Sequence, residues 1–236
     1  MSLTKAPKGY RYPVAIINHA VWLYHRFNLS YRDVQEQMAF RGIIVSHETV
    51  RSWCIKFSNY FKEVIKKHER RASDKWHLDE MTLRVNGEMF ILWRAVDADG
   101  HELDVFLQKR RNKKSAIRFL TRLLGNDPKP RVIVTDKLKS YIKPIKFMCS
   151  GIEHRRHKGL NNRAENAHQA TRRKEKCLIK FKSPKGVQQT LSLMGKVRNL
   201  FSVAVGRYTK NAAEQRIAFE SAKALWTEAS HQLLAA

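Results

Sequence analysis

The sequence predicts an α/β fold, a mixed sheet with helices, preceded by an all-α domain. Three observations carry this. Apolar residues recur at helical spacing before about residue 67 and at strand spacing after about residue 73. Two dipeptides that favour tight hairpins, Asn86-Gly87 and Asp99-Gly100, separate three extended runs. Further on, Val132-Ile133-Val134 is a continuous β-branched run, as in a strand covered on both faces.

Val14, Ile17, Val21 and Tyr24 mark one face of a first helix. Pro13 opens it, a residue suited to the first turn because its missing N–H is not needed there. Ser30, with Asp33 three residues on, is an acidic variant of the capping box and starts a second helix, with Tyr31, Val34 and Met38 inward and Gly42 at its end. Ser46 opens a third, in which Val50, Trp53, Cys54 and Phe57 lie at core spacing and His47, Glu48, Arg51 and Ser52 lie outward. Two short helices joined by a Gly-containing turn, the second polar at its outward N-terminal end, form the helix-turn-helix arrangement that seats a recognition helix in the major groove. Residues 1–66 are therefore expected to be a helix-turn-helix DNA-binding domain, with His47, Arg51, Ser52 and Lys56 as its contacts. Residues 67–73 are expected to be a basic linker, and up to residue 73 there are 13 Lys+Arg against 5 Asp+Glu.

Residues 74–236 make the second expected domain. Strands are expected at 75–85, 88–97 and 101–109, then a helix at 113–124 with Ala116, Phe119, Leu120 and Leu123 inward, broken by Gly125-Asn126-Asp127-Pro128. The buried strand follows at 131–136. Strand, strand, strand, helix, strand is the skeleton of the ribonuclease H-like fold. A helix at about 162–176 and two C-terminal helices, marked by Val187, Leu191, Met194 and Phe201 and by Ala222, Trp226 and Leu233, complete the layers.

The chain has 236 residues, with 46 Lys+Arg against 21 Asp+Glu and a formal net charge of +25. With 43% hydrophobic residues this charge sits on a folded object, which points to a polyanion partner. No apolar run exceeds Met89-Phe90-Ile91-Leu92-Trp93, so no membrane span is expected. The stretch 14–24 is interrupted by Asn18 and His19 and lacks a small-residue cleavage site, so the expected location is the cytoplasm. Cys54, Cys149 and Cys177 are odd in number and widely spaced, which argues against a disulfide framework. Cys149, His154 and His157 lack a fourth ligand and match no common zinc spacing.

Three carboxylates stand out. On the first strand Trp76, Leu78 and Glu80 face one way, His77 and Asp79 the other. Asp136 closes the buried strand, where an ionised group is costly without water, a cation or a partner. Glu165 lies on a helix with His168, Gln169 and Arg172 at three, four and seven positions further on. Phosphoryl transfer on DNA uses two divalent cations about 4 Å apart, and hard Mg²⁺ takes a few carboxylate oxygens on rigid elements. Each carboxylate also has a structural reading: Asp79 and Glu80 as a surface pair, Asp136 as a helix cap, and Glu165 as the partner of Asn162 in a capping box. Asp97 and Asp127 read as turn residues.

Trp76-His77-Leu78-Asp79-Glu80, Val134-Thr135-Asp136-Lys137, and Glu153-His154-Arg155 leading to Asn161-Asn162-Arg163-Ala164-Glu165-Asn166 resemble the insertion-sequence-six family of bacterial DDE transposases, which have an integrase-type catalytic core. Ser30-Tyr31-Arg32-Asp33-Val34, Thr49-Val50-Arg51-Ser52-Trp53 and Phe181-Lys182-Ser183 resemble further segments of that family, so the likeness spans nearly the whole chain. It implies a catalytic, metal-holding triad of Asp79, Asp136 and Glu165, with Arg172 as the basic residue seven after the glutamate. The 28 residues between Asp136 and Glu165 are fewer than is typical of the better-known members. Residues 153–185 carry 11 Lys+Arg against 3 acidic residues, so Arg155, Arg156, Arg172 and Arg173 are expected to meet DNA phosphates.

The expected function is that of a transposase that binds the terminal inverted repeats of an insertion sequence and catalyses strand cleavage and strand transfer, with a replicative, cointegrate-forming outcome. The expected cofactor is Mg²⁺ or Mn²⁺, two per active site, with no other cofactor. The expected partner is double-stranded DNA, bound by a homodimer or higher homo-oligomer at the bacterial nucleoid, with no membrane. A DNA-binding regulator without catalysis and a simple Mg²⁺-dependent nuclease are the alternatives.

Overall fold

The helices and strands expected from residue periodicity are present, and a short helix at Ile142–Met148 and a strand at Glu153–Arg156 add to them. A computed structural model describes residues 5–136, 139–157, 161–178, 180–202 and 212–235. The first three helices are α1 (Val14–Arg26), α2 (Tyr31–Phe40) and α3 (His47–Lys67). Pro13 stands at the N-cap of α1. The capping box of α2 is complete: Ser30 Oγ accepts from the Asp33 N–H at 3.2 Å and the Asp33 carboxylate accepts from the Ser30 N–H at 2.8 Å. Gly42, with φ +74°, turns the chain after α2. Ser46 Oγ caps α3 by accepting from the Thr49 N–H.

The chain divides into two compact units, Met1–Glu69 with Ser192–Ala236, and Arg70–Leu191. Residues 192–236 were expected beside the sheet; they group instead with the helices, and the division falls within α7 (Pro184–Leu200). The reason is aromatic packing. Trp226 of α8 (Ala212–Ala235) stacks on Phe61 of α3 at 4.4 Å between ring centroids. The Tyr60 hydroxyl donates to the Ala229 carbonyl, and Phe201 packs edge-on against Trp22 of α1.

The second unit is built on a sheet of β1 (Lys75–Val85), β2 (Glu88–Asp97), β3 (Glu102–Gln108), β4 (Val132–Thr135) and β5 (Glu153–Arg156), in the order β3-β2-β1-β4-β5. β1 and β2 pair antiparallel, as do β2 and β3; β1, β4 and β5 run parallel. This mixed sheet with flanking helices is the ribonuclease H-like arrangement. Asn86 (φ +48°) and Gly87 (φ +84°) form the two-residue turn between β1 and β2, both in the left-handed region that such a hairpin requires. At the β2–β3 turn the buried Asp97 carboxylate accepts from the N–H groups of Asp99 and His101.

One face of the sheet presents Trp76, Leu78, Trp93 and Ile133 to Phe119, Leu120 and Leu123 of α4 (Lys113–Leu124) and to Ile145 of α5 (Ile142–Met148). On the other face Val96 meets Ala164 and Ala167 of α6 (Asn162–Cys177). The edge strand β3 is covered by Gln188 of α7, whose amide accepts from the Leu107 N–H and donates to the Val105 carbonyl. Among the described residues no helix is long and apolar enough to cross a membrane.

Candidate active site

The register of the sheet puts two carboxylates side by side. The parallel pairing of β1 with β4 runs from Lys75↔Val132 to Leu78↔Thr135. Asp79 on β1 and Asp136, the residue that follows β4, come directly after the last pair and so occupy neighbouring positions, roughly 5 Å apart along the sheet. In α/β sheets the crevice outside the carboxyl ends of parallel strands is where ligands bind.

Glu80, next along β1, turns to the opposite face, where its side chain is only 1% exposed. That burial rules out the surface-pair reading. Arg111, in the connection from β3 to α4, donates from Nε to Glu80 Oε1 at 2.6 Å and from Nη2 to Asp136 Oδ2 at 3.5 Å. One guanidinium thus spans the two carboxylates. Burial pushes the Glu80 carboxyl up to about 7 from an ordinary 4.5; Arg111 opposes that rise, and the charges of Asp136 and Asp79 add to it. The buried Tyr141 hydroxyl is likewise pushed well above its usual range, first by burial and then by Glu80, Asp79 and Asp136.

On its own face, Asp79 is met by α6. Its Oδ2 lies 3.2 Å from His168 Nε2, and its side chain is 13% exposed. His168 Nδ1 receives a hydrogen bond from Arg94 Nη1 at 3.0 Å. Burial lowers the His168 pKa, the Asp79 hydrogen bond works against that, and the Arg94 charge adds to the lowering.

Glu165 lies one turn before His168 and is exposed. The N-cap of α6 is Asn161, without a side-chain cap; its amide instead donates to the Leu78 carbonyl at 3.0 Å. The capping-box reading of Glu165, which needed Asn162 at the cap, therefore does not hold. Among the described residues no three His, Cys, Asp or Glu side chains come together as a group able to hold a metal, so Asp79, Asp136 and Glu165 do not form one here. The residue that α6 turns onto Asp79 is His168, while Glu165 and Arg172 share its solvent side. Asp79 on β1 and Asp136 just beyond β4 are hard oxygen donors, and Mg²⁺ is commonly bound by one or two carboxylates plus substrate phosphates, so this pair fits a hard divalent cation.

The expected DNA contacts are solvent-facing for the most part. Arg51 and Ser52 are exposed on α3, where Arg51 pairs with Glu48 at 3.1 Å; Lys56 lies over the Tyr10 ring. The His47 N–H donates to Gln35 of α2, tying the two helices together. On β5 Arg156 is exposed and Arg155 pairs with Glu153 at 2.6 Å. On α6 Arg172 pairs with Glu175 at 2.9 Å and Arg173 lies within 3.5 Å of Gln169. Lys137 falls outside the described residues.

Glu80, Arg111 and Arg94 went unnoticed as site residues in the sequence. For Arg94 a signal exists: Asp79 is seven residues before Asn86 and Arg94 seven after Gly87, so a two-residue turn places them opposite each other.

Residues 73–204 match the DDE domain of the IS240 transposase type. The chain is 37% identical over 158 residues to the transposase for insertion sequence-like element IS431mec of Staphylococcus aureus, an alignment that covers 65% of this chain and 70% of that one. The same figures hold for the transposase for insertion sequence element IS257 in transposon Tn4003 of the same organism. Among solved structures, the HTLV-2 integrase catalytic core domain in complex with magnesium aligns with a TM-score of 0.43 and 16% identity, over 59% of this chain and 93% of that one. A domain match across more than half of its residues, and this identity to transposases of which it spans more than two thirds, make the chain a member of the insertion-sequence-six family of DDE transposases, enzymes of polynucleotidyl transfer.

Proposed function

We propose that this transposase recognises the terminal inverted repeats of its element and carries out metal-dependent strand cleavage and strand transfer, with a cointegrate outcome. The observation that carries this reading is the register that sets Asp79 beside Asp136 at the end of β4. In this reading Asp79 and Asp136 hold divalent cation through hard oxygen atoms, and Glu165 supplies the third carboxylate of the set. Two bound Mg²⁺ or Mn²⁺ ions supply stabilisation of the charge that develops on the attacking and leaving oxygens of an in-line displacement. Arg111 holds Asp136 from the β3–α4 side and offsets part of the repulsion among Glu80, Asp136 and Asp79. Arg155, Arg156, Arg172 and Arg173 bind backbone phosphate beside the site, and His47, Arg51, Ser52 and Lys56 read the element end from α3. Residues 1–66 are the recognition domain, 67–73 the linker, and the sheet that follows carries the chemistry. Joining two ends makes the acting form a homodimer or a larger homo-oligomer.

The test is a strand-transfer reaction with labelled element-end DNA, target plasmid and Mg²⁺, comparing wild type with Asp136→Asn. Joined product from wild type alone is the expected result. End binding with no joining by either protein would replace this reading with a regulator, and cleavage without joining would replace it with a nuclease.

A further inference from the structure

Polar side chains buried on the α6 side of the sheet form a connected series that ends on Asp79. Arg94 lies directly opposite Asp79 in the β1–β2 pairing, and its side chain is 1% exposed. Its Nε pairs with Glu102 at 3.0 Å, its Nη2 donates to Thr171 Oγ1 at 2.6 Å, and its Nη1 donates to His168 Nδ1 at 3.0 Å. A guanidinium has donors and no acceptors, so the imidazole nitrogen that faces it carries no proton. The proton of His168 therefore resides on Nε2, which donates to Asp79 Oδ2 at 3.2 Å.

We propose that Arg94 and His168 are positioning residues of the metal site: Arg94 sets the tautomer of His168, and His168 holds one carboxylate oxygen of Asp79 while leaving the other for the cation. The same bonds tie α6 to β1 and β2, and so set the place of Glu165 one turn away. The inference rests on the reading of Asp79 as a metal ligand. A histidine kept only for packing would be served by any side chain of similar volume. A positioning histidine requires an N–H at the Nε2 location, and loss of such a partner behind a metal ligand typically weakens metal binding about 10–100-fold.

The experiment is Mn²⁺ binding to the full chain without DNA, read from the free-ion electron paramagnetic resonance signal, in wild type, Asp79→Asn, His168→Met and His168→Gln. The Gln amide nitrogen can donate from near the place of Nε2. Expected are loss of tight binding in Asp79→Asn, weakening of at least about tenfold in His168→Met, and recovery to within about threefold of wild type in His168→Gln. Nitrogen-15 NMR of the histidine-labelled wild type is expected to show His168 as the neutral Nε2–H tautomer. Wild-type binding by His168→Met, equal weakening in Met and Gln variants, or an Nδ1–H tautomer would each overturn the proposal. The tautomer is read on the wild-type chain, so a His168→Met protein that does not fold leaves the idea open to refutation. Equally weak Mn²⁺ binding by wild type and Asp79→Asn would overturn the metal assignment of Asp79 itself, and the tautomer would still decide the role of Arg94.

Discussion

Glu80→Gln should convert a pH-dependent weakness of the sheet unit into a pH-independent one. The Glu80 carboxyl is buried against Arg111 and Tyr141, with its pKa pushed from 4.5 to about 7, chiefly by loss of water. Below pH 4.5 it is protonated in the folded and the unfolded chain alike, and its relative contribution to stability is fully present. Between 4.5 and about 7 the unfolded chain releases a proton that the folded chain keeps, so stability falls as pH rises and the loss is complete above the folded pKa. At about 1.4 kcal/mol for each tenfold change in proton affinity, the gap amounts to about 3 kcal/mol. A glutamine does not titrate. The difference in unfolding free energy between variant and wild type should therefore move in favour of the variant by about 2–3 kcal/mol from pH 5 to pH 8. The assay is urea unfolding in EDTA, which keeps divalent cations off Asp79 and Asp136, followed by hydrogen exchange of the β1 amides so that the sheet unit is read alone. A difference that stays constant across that range would refute the burial argument.

Trp226→Ala removes the ring stacked on Phe61 and should destabilise the helical unit by about 3–5 kcal/mol, seen as lost amide protection in α1 and α3; loosening of β1 with those helices unchanged would contradict the grouping of α8. Arg172→Ala should lower the slope of log affinity against log salt for element-end DNA by about 0.9, the value for one phosphate contact, and an unchanged slope would remove Arg172 from the phosphate contacts.

Local chemistry made much of the fold legible. Ser30 and Asp33 satisfy each other's backbone within four residues, and Asn86-Gly87 needs no distant partner to reach positive φ. β5 was not legible, because Glu153-His154-Arg155-Arg156 has no apolar alternation; it is a strand only by pairing with β4 at the sheet edge. α5 is seven residues long and carries Pro144 within it, too short for a helical period to show. In the site, alternation along β1 put Glu80 on the side of Trp76 and Leu78, and burial there is what raises its pKa. Arg111 was hidden because it is 31 residues from Glu80 and 25 from Asp136, a meeting that only the closed fold produces. The place of Glu165, exposed while His168 reaches Asp79, depends on the rotation of α6, which residue spacing along one helix does not define.

The helical unit is assembled from the two ends of the sequence, with the sheet unit synthesised between them. On the ribosome the order of emergence therefore inverts the order of completion: Arg70–Leu191 can close its sheet while α1 and α3 still wait for Phe201 and Trp226. A premature stop or frameshift after residue 191 would release a chain with an intact sheet and with the apolar faces of α1 and α3 uncovered, a substrate for proteases and aggregation. In a DDE transposase this arrangement ties completion of the helical unit to translation of Phe201 and Trp226, so a chain stopped before them carries a closed sheet and helices that have not packed.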